Sequence, residues 1–115
     1  MEKIELPKDD YIRYEENGRT VVVCTLKQMC KHTIGLDEGH NRGRLYSRHG
    51  RKFFKPYRNY FSGNSKKLDK LVDAGYMETE EYIYNETKNK TYFFTRSGLD
   101  WLGDQLGIVI KDVED

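Results

Sequence analysis

Residues Ser65 to Leu102 constrain this chain most, because a short basic helix, a charged hairpin and a closing helix can be read there in unbroken succession. Ser65 is placed as an N-cap. Leu68, Leu71 and Val72 follow at three-and-four spacing, and Ala74-Gly75 stands where a left-handed C-cap is wanted. The polar face left over is Lys66, Lys67 and Lys70. Beyond Gly75 the residue types turn extended, Tyr76-Met77 and Tyr82-Ile83-Tyr84, and return as Thr91-Tyr92-Phe93-Phe94 after a polar tip running from Asn85 to Lys90. Thr95 then caps a last helix. Its Leu99, Trp101, Leu102 and Leu106 can cover a core, and Gly103 and Gly107 weaken and end it.

Upstream, Pro56 can open a short helix to about Phe61, with Phe53, Phe54, Tyr57 and Phe61 sharing a face and Ser62-Gly63-Asn64 making a turn. A short helix, a tight turn and a second helix with a basic face make a helix-turn-helix. In the first third, Tyr11 to Tyr14 and Thr20 to Val23 flank the turn signal Asn17-Gly18, which predicts a hairpin. Thr25 caps a helix carrying Leu26, Met29, Cys30 and Ile34 on one face, with Gly35 just past its end. The alternative starts that helix at Thr20; the β-branched Val21-Val22-Val23 favours the strand. Gly35 to Lys52 is left as a long, Gly-rich, basic connection.

The segment Ser65-Lys-Lys-Leu68-Asp-Lys-Leu71-Val-Asp-Ala-Gly75-Tyr76 resembles the recognition helix and following turn of winged-helix regulators of the multiple-antibiotic-resistance and phenolic-acid-repressor types. Tyr92-Phe-Phe94-Thr95-Arg-Ser-Gly98-Leu-Asp-Trp-Leu102 resembles their second wing strand and closing helix, with Phe94 where Leu is usual. The likeness covers roughly the last half of the chain. It implies a winged helix-turn-helix fold with a C-terminal hairpin wing; with the helix and the N-terminal hairpin read above, and a length that fits one domain over 1–115, the expected class is α+β with three to four helices. The likeness also implies that the helix from Ser65 enters the major groove while the tip near Lys88 touches backbone or minor groove. Gly35 to Phe61, with its Gly35-Leu36-Asp37, Tyr46 to Lys52 and Tyr57 to Phe61 elements, is similar to a segment of small uncharacterised bacteriophage and prophage proteins. That suggests a mobile-element origin and assigns no activity.

Charge argues separately. Residues 41–70 hold ten Lys and Arg against Asp69 alone, a net of +9, while residues 1–40 net −2 and residues 71–115 net −6, giving +1 for the chain. A cationic middle third inside a near-neutral chain favours a polyanion partner, a nucleic acid ahead of an acidic protein, and double-stranded DNA is what the winged-helix likeness implies. The expected contacts are Ser65, Lys66, Lys67 and Lys70 at the groove, Arg58 and Asn59 on phosphates, Asn64, Arg48, Arg51 and Lys52 within the basic block, and Lys88 and Lys90 at the wing. Six such phosphate contacts give a salt slope of about −5. The competing reading is a solvated basic surface over aromatic core residues. The main departure from the DNA-binding pattern is the acidic hairpin, with Glu78, Glu80, Glu81 and Glu86; it keeps open an interaction module that borrows the fold to inhibit or redirect a host nucleic-acid enzyme such as a defence nuclease or polymerase. Alternation puts Glu78 and Glu80 on one side of a strand and Glu81 and Ile83 on the other.

Catalytic and metal signals are weak. Cys24 and Cys30 lie six apart with His32 two further on, which is no zinc-ligand spacing, and the helix reading makes Cys30 a core residue. His32, His40 and His49 are scattered, the triple Asp37, Glu38 and His40 is commonplace, and Gly39 to Gly43 lacks phosphate-loop spacing. A nuclease-like enzyme using the histidines is the least supported reading; no enzyme, cofactor or metal is expected. Without an apolar stretch of about 18 residues or a signal leader, a cytosolic chain with free thiols follows. Only Leu106 to Val113 remains beyond the closing helix, so a monomer or weak homodimer is expected. Mean hydropathy of −0.89 and 34% charge would suit disorder, but the periodic segments and 13% aromatics argue for one modest core.

Overall fold

A computed structural model describes residues 4–36 and 44–112 of the chain. The order is β1 (Tyr11–Glu16), β2 (Arg19–Cys24), α1 (Leu26–Ile34), β3 (Leu45–Arg48), β4 (Arg51–Phe54), β5 (Phe61–Ser62), α2 (Lys66–Asp73), β6 (Met77–Tyr84), β7 (Thr87–Phe94), α3 (Arg96–Leu106) and β8 (Val109–Ile110). The fold is α+β, with three helices among the described residues. Asp37, Glu38, His40 and the Gly39 to Gly43 run lie outside the described residues.

Each helix starts where its cap residue satisfies an orphan N–H. The hydroxyls of Thr25, Ser65 and Thr95 accept from the N–H of Gln28, Leu68 and Gly98. Gly35 and Gly107 close α1 and α3 in the left-handed region, and Gly75 (φ +83°) lets Tyr76 N–H donate to Leu71 O after α2. Gly103 does not end α3. It lies buried inside the helix, where a Cβ would meet Ile108 O at 2.6 Å.

Three small sheets surround the helices. β1 and β2 form an isolated antiparallel pair; β3-β4-β8 is a three-stranded sheet in which β4 and β8 run parallel; and β5-β7-β6 is antiparallel. The core joins α1 (Cys30, Ile34), β4 (Phe54), α2 (Leu68, Leu71), the β6–β7 hairpin (Met77, Tyr92, Phe94), α3 (Leu99, Trp101, Leu102) and Ile110. Cys30 is a core residue as the helix reading required, and burial pushes its thiol up to about 12. Trp101 Nε1–H donates to Ile4 O at 3.1 Å and pins the N-terminal segment to α3.

Three expectations are corrected. Residues 55–60 are not a helix, so no helix-turn-helix precedes α2. Their polar groups bond outward: Tyr60 N–H donates to Thr33 O, and the Asn59 amide brackets Phe94, accepting from its N–H at 2.8 Å and donating to its O at 3.0 Å. A side chain that pairs with a strand like another strand competes with local helix bonds. Second, the Gly35 to Lys52 connection contains β3 and the start of β4, joined across His49 (φ +52°) and Gly50 (φ +77°). Third, the β6–β7 tip is the two-residue turn Asn85-Glu86, both at positive φ, rather than a basic loop reaching Lys90. Lys88 and Lys90 therefore stand within β7, opposite Ile83 and Glu81.

Candidate nucleic-acid interface

The expected interface centred on α2. Lys66, Lys67 and Lys70 all lie exposed on that helix, but much around them is committed elsewhere. Lys67 Nζ donates to Cys24 O at 3.2 Å, tying α2 to the end of β2. Asp69, in the middle of the basic face, accepts from Tyr92 Oη at 2.6 Å and pairs with Lys90 Nζ at 3.3 Å. The Tyr92 hydrogen bond, followed by Lys90, holds the Asp69 carboxyl below its ordinary value; Asp69 in turn raises Lys90, and burial with Asp69 raises Tyr92. Ser65 is consumed by capping and by the Tyr92 hydroxyl, which receives Ser65 N–H at 3.1 Å. Asn64 donates to Lys88 O at 3.3 Å. Beside these groups a cavity of about 600 Å³ opens between Cys24, Met29, His32, Phe61 and Lys66.

Other expected contacts lie off α2. Asn59 is spent on Phe94, and Arg58 donates through Nε and Nη2 to His32 O at the end of α1. Lys52 shares the inner side of β3–β4 with Ser47 and lines a second cavity with Lys27 and Lys31. Arg48 and Arg51 face each other across the outer side. The basic block is therefore divided among several surfaces.

Its densest part is that outer side. Phe54 is fully buried, so its partner Leu45 marks the inner face, and two-residue alternation sends Tyr46, Arg48, Arg51 and Phe53 outward. Across β8, Phe53 is level with Val109, and Lys111 follows on the same side. The Tyr46 and Phe53 rings stack at 5.5 Å with planes 16° apart. Lys55 Nζ lies 5.8 Å from the Tyr46 centroid; Lys111 Nζ and Arg51 lie 5.2 and 5.8 Å from that of Phe53. Arg44 and Lys55 form the next pair, where Lys55 N–H donates to Arg44 O at 2.9 Å and Arg44 Nη1 donates to Lys55 O at 3.2 Å. From there Arg44 reaches the Tyr57 ring at 5.2 Å, and Arg58 lies 5.7 Å from both Tyr57 and Tyr60. Cations and rings thus alternate from Lys111 to Tyr60. The sequence has no Asp or Glu from Gly39 to Leu68, and Asp112 at the far end is paired with Arg96 at 2.9 Å.

Lys111, Arg44 and Lys55 were absent from the residues expected at a site, and the rings were weighed mainly as core. A readable signal existed: Arg44-x-Tyr46-x-Arg48 and Arg51-x-Phe53-x-Lys55 alternate around His49-Gly50. Lys111 carries no local signal, because only the parallel β4–β8 pairing brings it there.

The hairpin acids are divided by register. Buried Met77 and Tyr92 define the α2 side of β6–β7, so Glu81 stands on that side opposite Lys90, while Glu78 and Glu80 point the other way. Among the described residues no three His, Cys, Asp or Glu side chains group as metal ligands, and no helix is long and apolar enough to cross a membrane. No family model matches the chain, and neither a curated protein nor a solved structure does.

Proposed function

We propose that this chain binds DNA, as an accessory or regulatory protein of a mobile element. The observation that carries the reading is the outer face of β3-β4-β8, where Arg48, Arg51, Lys55 and Lys111 surround two stacked rings; among the described residues, Asp112 at its end is paired with Arg96 and Asp104 borders Arg51 from α3. Charge of one sign concentrated on one sheet face is the footprint of a phosphate-binding surface. The winged-helix relationship stays within this proposal. The β5-β7-β6 strand order, α2 directly before the hairpin, and the Thr95-capped closing helix support it, whereas the missing helix before α2 removes the usual way of presenting a recognition helix. The phosphate-binding role accordingly moves from α2 to the sheet.

The test is a fluorescence-anisotropy titration of labelled 25-nucleotide DNA, as single strand and as duplex, at 50 and 200 mM salt. Four phosphate contacts predict a logarithmic salt slope of about −3 to −4. Arg48→Glu/Arg51→Glu should abolish binding, and Lys66→Glu/Lys67→Glu should weaken it less. Absence of binding to either form at 50 mM salt sinks the proposal. That result would favour the second reading, a protein partner, for which the apolar face of exposed Ile12, Tyr14 and Val23 with half-buried Val21 on β1–β2 speaks.

A further inference from the structure

We infer that the sheet face is a track for single-stranded DNA, with bases stacking on Tyr46, Phe53 and Tyr60 and the neighbouring cations holding the phosphates. This deepens the DNA-binding reading and rests on it. A surface that only attracted phosphate would need no rings. Here the centre of the outward face is a half-buried aromatic pair, and beyond Tyr57 along the same run of cations Tyr60 is 48% accessible. Rings set between cations are what a surface needs to take unpaired bases while following a phosphate backbone, because every base offers a π-face and stacking does not depend on sequence.

The outer ring faces are at present shared with Lys55, Arg51 and Lys111, at 5.2–5.8 Å. An exposed cation–π contact is weaker than a base stacked on the same ring. A base therefore displaces the cation, and a long Lys or Arg side chain so displaced stays within reach of the adjoining phosphate. Tyr57 plays a different part. Its ring lies so close to Gly35 that a Cβ there would stand 2.3 Å from it, so one face is covered and Tyr57 supports Arg44 and Arg58.

Duplex DNA makes poor use of this face. Paired bases are stacked on each other and present only their edges in the grooves, so a duplex leaves the ring faces at the centre of this surface unused, whatever its edges offer to Arg48 and Arg51. The choice of a DNA strand follows the DNA-binding reading, and since a ribose 2′-OH can accept from the same Lys and Arg donors, an RNA strand is the comparison the experiment includes.

The experiment is a set of anisotropy titrations at 100 mM salt with fluorescein-labelled dT15, a 15-base-pair mixed-sequence duplex and rU15, using the wild-type chain, Tyr46→Leu and Tyr60→Leu. Leu keeps apolar volume but removes the ring, and Tyr60 lies outside the sheet, so one variant is informative if the other loses its fold; thermal melts establish which are folded. dT15 should bind at least tenfold more tightly than the duplex and no more weakly than rU15, and each folded ring variant should lose about tenfold for dT15 while changing the duplex little. Equal or tighter duplex binding, or ring variants with unchanged dT15 affinity, overturns the single-strand inference and leaves DNA binding standing. rU15 bound tenfold more tightly than dT15 overturns the choice of DNA. Binding to none of the three overturns the proposed function itself.

Discussion

Tyr92 joins β7 to two points of α2 through one hydroxyl. It is fully buried in β7, receives the Ser65 N–H at the start of α2, and donates to Asp69 one turn later. Tyr92→Phe keeps the ring but strands that N–H and removes the contact to Asp69, so a cost of about 1–3 kcal/mol is expected in denaturant unfolding. The coupled acid dependence has a definite sign. Because the folded state holds Asp69 below its ordinary value, the stabilisation is complete above the unfolded carboxylate value near 3.9 and is lost as pH falls through the lower folded value. Asp69→Asn should therefore flatten the acid limb of the stability profile; an unchanged limb would show that Asp69 contributes none of it. Just past the same end of β7 the Thr95-x-x-Gly98 pattern was legible in sequence, and its physical reason is local. Thr95 caps Gly98, and a Cβ at Gly98 would meet Tyr76 O at 1.8 Å. Gly98→Ala should cost about 3 kcal/mol or prevent folding, since the obstacle is backbone that cannot rotate away. A wild-type melting temperature would refute the close approach.

At the scale of elements, what the sequence revealed were local devices: a hydroxyl cap before an apolar stripe, a glycine after it, alternation about Asn-Gly. These place α1, α2, α3, β1–β2 and β6–β7, because their signals lie within a few residues of what they specify. Residues 55–60 escaped that logic. Pro56 and the spacing of Tyr57 and Phe61 satisfy a helical pattern, yet the segment is held by Thr33, Phe94 and Gly35, partners 22 to 35 positions away. The candidate interface suffered likewise: Arg48 and Arg51 were legible as charge, Lys111 was not, and Asn59 was read as a phosphate contact when it fastens β7. Asn59→Ala should destabilise the fold by about 2–3 kcal/mol because it leaves both Phe94 backbone groups unpaired. It is thus a test of architecture. Loss of DNA affinity in Asn59→Ala with unaltered unfolding would restore the direct contact.

For the whole molecule, the decisive asymmetry is between a body with one core and a hairpin outside it. The radius of gyration is 15.4 Å, against about 13 Å for a compact chain of this length. No residue of β1 or β2 belongs to the core cluster, and Ile12 and Val22 are 53% and 51% exposed. A two-stranded hairpin without a packed face is marginal in water, so its stability must come from the base. There Thr25 N–H donates to Asp10 O, the Thr25 hydroxyl reaches Asp9 O and Asp10 O, and Lys31 pairs with Asp10 at 2.9 Å. All of those contacts lie outside residues 12–23. Ile12 and Val23 are a ladder pair of the same type as Glu16 and Arg19, the pair that closes the present turn, which lets a two-residue Asn-Gly turn replace residues 13–22 without moving either end. The shortened chain should unfold cooperatively with a midpoint within a few degrees of wild type, show a smaller radius of gyration by X-ray scattering, and retain its dT15 affinity, since the ring-and-cation track lies elsewhere. A shortened chain that collapses into an uncooperative state would make β1–β2 part of the folding unit. One that folds but no longer binds DNA would bring the hairpin into the binding surface.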